Sequence, residues 1–230
     1  MKPLLLFPAL CGFLLAIEST HRGVCSPICE PPPPSESRAE TASEIVVPVR
    51  VHLVQSATVP TMHTTLTETD VRRIFGKVNM VWAQAGIRFA IESIVRTEAA
   101  ALTEELAQKP EFTRVKAMIP RPSLSATALN VCYVRQVTPN GFFAGEIIVV
   151  KDTARLRPVE GGLDEPLPRV TSHEIGHALS LNHRQDTTNL MASGTTGFSL
   201  NEAEIRAARE KAKTFQTPKP AADPQSNSSR

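Results

Sequence analysis

Apolar positions along the chain fall into alternating and helical runs. Residues 45 to 54 are dense in apolar, mostly β-branched side chains, which predicts a strand. Thr67 then offers an N-cap, with Asp70 three residues on. Val71, Ile74, Phe75, Val78, Val81 and Trp82 recur at helical spacing, so residues 68 to 85 read as an amphipathic helix closed by Gly86. Residues 87 to 95 alternate apolar and polar as a strand does, and residues 100 to 108 read as a helix. Two further strands are expected at 127 to 137 and 146 to 151, around the turn Pro139-Asn140-Gly141. Pro166 and Pro168 precede a helix over 170 to 181. Ser199 with Glu202 has the form of a capping box for a last helix, 200 to 215. Strand, helix, strands, helix, helix is the order of a mixed α+β domain.

That domain covers residues 45 to 216 and is framed by segments of other character. Lys2 followed by the apolar run from 4 to 17 has the form of a secretory signal peptide, with cleavage expected after Ser19. The run is shorter than the roughly 20 residues a spanning helix needs. Residues 20 to 44 form a linker containing Pro31 to Pro34. The tail, 217 to 230, is rich in Pro, Ser, Asn and Lys, a composition expected to be disordered. The expectation is therefore an exported monomer with no membrane segment in its mature form.

Charge narrows the partners further. The formal net charge is +2 and the aromatic fraction 5%, with no basic stripe, which argues against nucleic acid. Four cysteines are present; Cys11 lies in the signal, leaving Cys25, Cys29 and Cys132. Export permits a disulfide, but the sequence does not choose a pair, and Cys132, within Leu129-Asn130-Val131-Cys132-Tyr133-Val134, reads as a buried thiol in a strand.

The chemistry concentrates in His173-Glu174-Ile175-Gly176-His177-Ala178-Leu179-Ser180-Leu181-Asn182-His183. Histidines four apart on a helix share a face and can reach one ion. Glu174 lies about 100° around the helix from His173, so it flanks the ion as a base without binding it. His183 follows six residues later. A continued helix would carry it about 9 Å further and turn it away, so sharing the ion requires the chain to leave the helix near Ser180. Three protein ligands leave the open position of catalytic zinc, whereas structural zinc is closed by four and favours Cys. His52, in the first strand, His63, in a loop, and His21, in the linker, read as ordinary histidines.

The segment resembles the zinc signature of the metzincin metallopeptidases, HExxHxxGxxH. Asn189-Leu190-Met191-Ala192 looks like that family's Met-turn, and Gly145-Glu146-Ile147-Ile148-Val149-Val150 resembles its substrate-binding edge strand. The resemblance implies a twisted mixed sheet with an edge strand over a cleft, a zinc-binding helix and a C-terminal helix. It also implies one zinc ion on His173, His177 and His183, Glu174 as general base, and Met191 as a floor beneath the site. The implied activity is hydrolysis of protein or peptide substrates through a metal-activated water. The side-chain pocket is expected between the zinc helix and residues 192 to 198. The chain departs from the pattern in three places: Ser180 stands where the bend has Gly, Arg184 follows the third His, and no Tyr follows the Met-turn. A thiolate from Cys25 or Cys29 occupying the open metal position is a further option. Two other functions fit the same residues: a zinc-bearing domain that binds peptides without cutting them, and a zinc hydrolase of non-peptide amides or esters.

Overall fold

A computed structural model describes residues 43–159, 163–194 and 197–216. The expected signal peptide, the linker with Cys25 and Cys29 up to residue 42, and the tail lie outside the described residues.

The first strand, β1 (Ile45–Gln55), buries Val47, Val49, Val51 and Leu53 completely. Helix α1 (Glu68–Trp82) starts on a capping box in which Thr67 and Asp70 satisfy each other's backbone donors. The six apolar residues at helical spacing are all buried while Met80 is exposed, and Gly86 closes the following turn at φ 60°. The chain then enters β2 (Ile87–Glu98), parallel to β1, because a crossover helix returns the chain to the same end of the sheet. Trp82 is fully buried with its ring edge-on to Phe89, centroids 5.7 Å apart. That geometry adds about 0.5–1.5 kcal/mol beyond burial.

Of the helix expected over 100 to 108 only α2 (Glu104–Ala107) forms, and a helix the sequence reading did not include, α3 (Glu111–Met118), follows it. Pro110 separates them, since its fixed φ suits a helix start and interrupts one already running. The central strand β3 (Leu129–Val134) is buried at every position. It is followed by β4 (Gly141–Phe143) and β5 (Ile147–Lys151).

The strand order is β2-β1-β3-β5-β4, with β4 antiparallel to β5 and the other pairs parallel. This corrects one expectation. Residues 146 to 150 do not form the edge. Ile147, Ile148, Val149 and Val150 are all buried, as an apolar run without alternation requires when helices cover both faces. The edge is β4, paired Gly141 with Val150, Phe142 with Val149 and Phe143 with Ile148. The sheet thus separates a large core from a smaller one. Val131, Tyr133, Ile148 and Val150 face the first, and Cys132, Val134, Val149 and Met118 the second. The Cys132 thiol is buried as expected, and burial pushes its pKa up.

Helix α4 (Pro166–Ala178) begins four residues earlier than the sequence suggests. Prolines are tolerated there because the first-turn N–H groups have no intrahelical partner to lose. Tyr133 anchors it to the sheet, its hydroxyl 3.0 Å from Thr171 Oγ1. The last helix, α5 (Glu202–Lys213), is capped by Asn201 with Glu204, not by Ser199 with Glu202. Ser199 instead donates its hydroxyl to the Thr188 carbonyl at 2.8 Å, and the Asn201 frame turns Ala208 and Ala212 into the core. Among the described residues no helix is long and apolar enough to cross a membrane.

Candidate metal centre

Helix α4 places His173 and His177 one turn apart, ring centroids 4.8 Å from each other. The helix then stops abruptly. Ser180 N–H donates to the His177 carbonyl at 3.0 Å and Leu181 N–H to the Gly176 carbonyl at 2.9 Å. These are the two bonds of a Schellman motif, with Ser180 in the left-handed position at φ 68°. The chain reverses, and His183 returns over the helix end. Its Nε2 lies 3.1 Å from Nε2 of His177, and its ring centroid 5.3 Å from that of His173. One ligand atom from each of the three histidines lies within 4.8 Å of the others. The bend demanded by the sequence is made, with Ser taking the conformation that Gly adopts more cheaply.

The tautomers follow from the backbone. His173 Nδ1–H donates to the Leu190 carbonyl at 2.8 Å, and His177 Nδ1–H to the Leu181 carbonyl at 2.9 Å. A carbonyl only accepts, so each Nδ1 carries the hydrogen and each Nε2 keeps a lone pair. The His177 lone pair faces His183 Nε2 at 3.1 Å: the two rings share a hydrogen bond when His183 carries its hydrogen on Nε2, and two lone pairs meet there when it carries it on Nδ1, the form that binds metal. Two nitrogens held tetrahedrally by zinc at 2.0–2.1 Å are about 3.3 Å apart, so the observed spacing fits such an ion. Burial, together with the neighbouring histidines, depresses His173 to about 4 against the raising effect of the Leu190 carbonyl. Burial also lowers His177. Both are then neutral at physiological pH, the form that binds metal.

Glu174 sits beside this cluster, 6% exposed. Burial pushes its carboxyl up to about 8. Room for it depends on Gly141 in β4. A Cβ there would lie 2.9 Å from the Val149 carbonyl oxygen, 3.0 Å from Glu174 Cγ and 3.1 Å from a Val170 methyl. Met191 is fully buried below, and a Cβ on Gly176 would collide with its Sδ. The residue expected as a floor therefore packs directly under the helix that carries the histidines. A cleft of about 850 Å³ opens over the site, walled by Gly141, Phe142 and Phe143 of β4 on one side and by Ala192, Ser193 and Gly194 on the other. Thr195 and Thr196, within the expected side-chain pocket, lie outside the described residues.

The other expected residues are placed apart from this centre. His52 is buried, its Nδ1 2.8 Å from Thr97 Oγ1 and its Nε2 3.2 Å from Asn130 Oδ1. His63 Nδ1 lies 3.2 Å from the Ser56 carbonyl oxygen. Sequence reasoning missed the carbonyls of Leu181 and Leu190 and the three-residue strand β4. Backbone acceptors carry no side-chain signal, and β4 is too short to show a period.

Ser180 gives a direct test of the bend. A left-handed non-Gly residue costs about 1–2 kcal/mol, and Gly returns part of that gain through its larger unfolded-state entropy. Ser180→Gly should therefore stabilise the protein by about 0.5–1 kcal/mol, read as a rise in Tm of about 1–4 °C by calorimetry. A fall in Tm would show that Ser180 is not left-handed in solution.

No family model matches the sequence. No curated protein is similar to it in sequence. Among solved structures the chain is similar to mirolysin, determined in complex with a compound, at 13% identity and a TM-score of 0.53; the match covers 76% of this chain and 97% of that one. It is also matched to archaemetzincin from Methanopyrus kandleri, at 14% identity and a TM-score of 0.43, over 77% of this chain and 98% of that one. At such identities the likeness is one of architecture. The fold is metzincin-like, a mixed α+β domain with a five-stranded mixed sheet, and its three histidines are arranged to hold a metal ion.

Proposed function

We propose that the protein is an exported, zinc-dependent metalloendopeptidase of the metzincin type. The observation that carries the reading is the convergence of His173, His177 and His183, with Nε2 of His177 and Nε2 of His183 3.1 Å apart, beside the buried Glu174 carboxyl at the foot of an open cleft. His173, His177 and His183 would hold the ion, leaving the open position that distinguishes catalytic from structural sites. Zinc, when bound there, supplies Lewis acidity to water and to a substrate carbonyl.

The remaining steps belong to the chain itself. Glu174 accepts a proton from the attacking water and returns it to the leaving amine. Its raised pKa keeps that proton exchangeable near neutrality, and a neighbouring cation favours the ionised base. Strand β4 ends the sheet, so its outer edge can pair with an extended peptide and draw it across the histidines. Gly141 lets that backbone approach Glu174 closely. The small residues Ala192 to Gly194 leave space for a side chain next to the scissile bond. The apolar run at residues 4 to 17 supports export.

The test is cleavage of casein and of a mixed peptide library by the zinc-loaded full chain. Hydrolysis is expected to disappear on chelation and to return with one equivalent of zinc per chain. Zinc binding without hydrolysis of any peptide would favour the peptide-binding or non-peptide hydrolase readings.

A further inference from the structure

Glu204 is an almost completely buried carboxylate, 2% exposed, in the first turn of α5, far along the sequence from the three histidines. Closing a capping box needs only a hydrogen bond to the Asn201 N–H, and Glu204 Oε2 accepts that bond at 2.9 Å. The same carboxylate does two further things. Its Oε1 accepts from Arg184 Nε at 2.6 Å, and its Oε2 accepts from Asn189 Nδ2 at 2.8 Å. Arg184 directly follows His183, and its own N–H donates to the Met191 carbonyl at 2.8 Å. Asn189 turns its Oδ1 to the Met191 N–H at 2.7 Å, folding the turn whose Leu190 carbonyl orients His173. One buried side chain therefore reaches two of the three histidines, one through Arg184 and the other through Asn189 and Leu190.

We infer that Glu204 is a positioning residue for the metal centre, and that docking of α5 and binding of the ion are coupled through it. The inference rests on the reading of the three histidines as a zinc site. Coupling of this kind is reciprocal: what α5 contributes to zinc affinity, zinc returns as protection of α5. Outer groups that orient metal ligands typically contribute a factor of 10–100 to affinity. Glu204→Gln is the informative variant. Gln can still accept from Arg184, but its amide nitrogen then faces both Asn189 Nδ2 and the Asn201 N–H, donor against donor. If Asn189 flips to relieve its clash, the Met191 N–H loses its acceptor.

The experiment is zinc affinity of the full chain by competition with a fluorescent chelator, set beside the Tm of the metal-free protein. Glu204→Gln should raise the zinc Kd by about 10–100-fold, and zinc should slow amide exchange across α5 in the wild type but far less in the variant. Asn201→Ala removes the acceptor for the Glu204 N–H without touching Arg184 or Asn189. It should lower the metal-free Tm and leave the Kd within about twofold. An unchanged Kd in Glu204→Gln overturns the inference. So does an Asn201→Ala variant that weakens zinc as much as Glu204→Gln, because loss of α5 stability alone would then suffice. Should Glu204→Gln fail to fold, Arg184→Ala decides, with several-fold weaker zinc expected and no change fatal. A wild type that binds no zinc removes the site reading itself, a result distinct from wild type and variant binding equally.

Discussion

Glu174→Gln is expected to reduce peptide hydrolysis by about 10²–10⁴-fold while the protein still takes up one zinc per chain. Gln keeps the shape that Gly141 leaves room for, and Glu174 is not part of the converging histidine cluster. What is lost is the proton acceptor. The metal-free protein carries a second signature of the same residue. The Glu174 carboxyl is raised from 4.5 to about 8, so between those values the folded chain holds a proton the unfolded chain has released. Its contribution to stability is present below about pH 4.5, erodes as pH rises and is gone above about pH 8. His173, lowered from 6.5 to about 4, acts in the opposite sense, costing stability as pH falls through that window. The two slopes oppose each other between about pH 4.5 and 6.5, and Glu174 alone remains above. At pH 8 the metal-free Gln variant should therefore be more stable than the metal-free wild type by a few kcal/mol, with about 5 kcal/mol as an upper bound. Urea denaturation in chelator measures it; equal stability would mean that Glu174 is not held in a desolvated position.

His183→Ala should raise the zinc Kd by about 10²–10³-fold. Apparent zinc binding in four-ligand sites is about 10–16 kcal/mol, so one ligand of several carries roughly 3–4 kcal/mol. His183 is the informative ligand because it is exposed and depends on the bend at Ser180, whereas His173 is buried and also satisfies the Leu190 carbonyl. Removing His173 would disturb packing as well as the site. Removing His183 isolates its role in binding. Competition against a chelator of known affinity reads the result, and an unchanged Kd would restrict the site to the two helical histidines.

Much of this centre is legible in the sequence because helical geometry is local. The four-residue spacing of His173 and His177 fixes a shared face, and the six-residue step to His183 forces a break near Ser180, which the left-handed φ there confirms. The capping box of α1 and the burial of Cys132 are local in the same way. The sheet edge is not. Strand β5 shows four consecutive apolar residues, a pattern that records burial on both faces and carries no trace of which neighbour lies beyond it. Strand β4 has three residues, one of them Gly, and so has no readable period. The start of α5 shows how overlapping caps mislead: Ser199-x-x-Glu202 and Asn201-x-x-Glu204 are equally well written, and only the inward turn of Ala208 and Ala212 selects the second. Glu204 escapes a linear reading altogether, since its partners Arg184 and Asn189 are brought to it by tertiary structure.

X-ray absorption at the zinc edge of the zinc-loaded full chain tests the central claim most directly. The expected spectrum shows only nitrogen and oxygen bound to the zinc, with the multiple-scattering pattern of three imidazoles and no sulfur. A sulfur scatterer, or a pattern that requires fewer than three imidazoles, would contradict an open centre built on His173, His177 and His183.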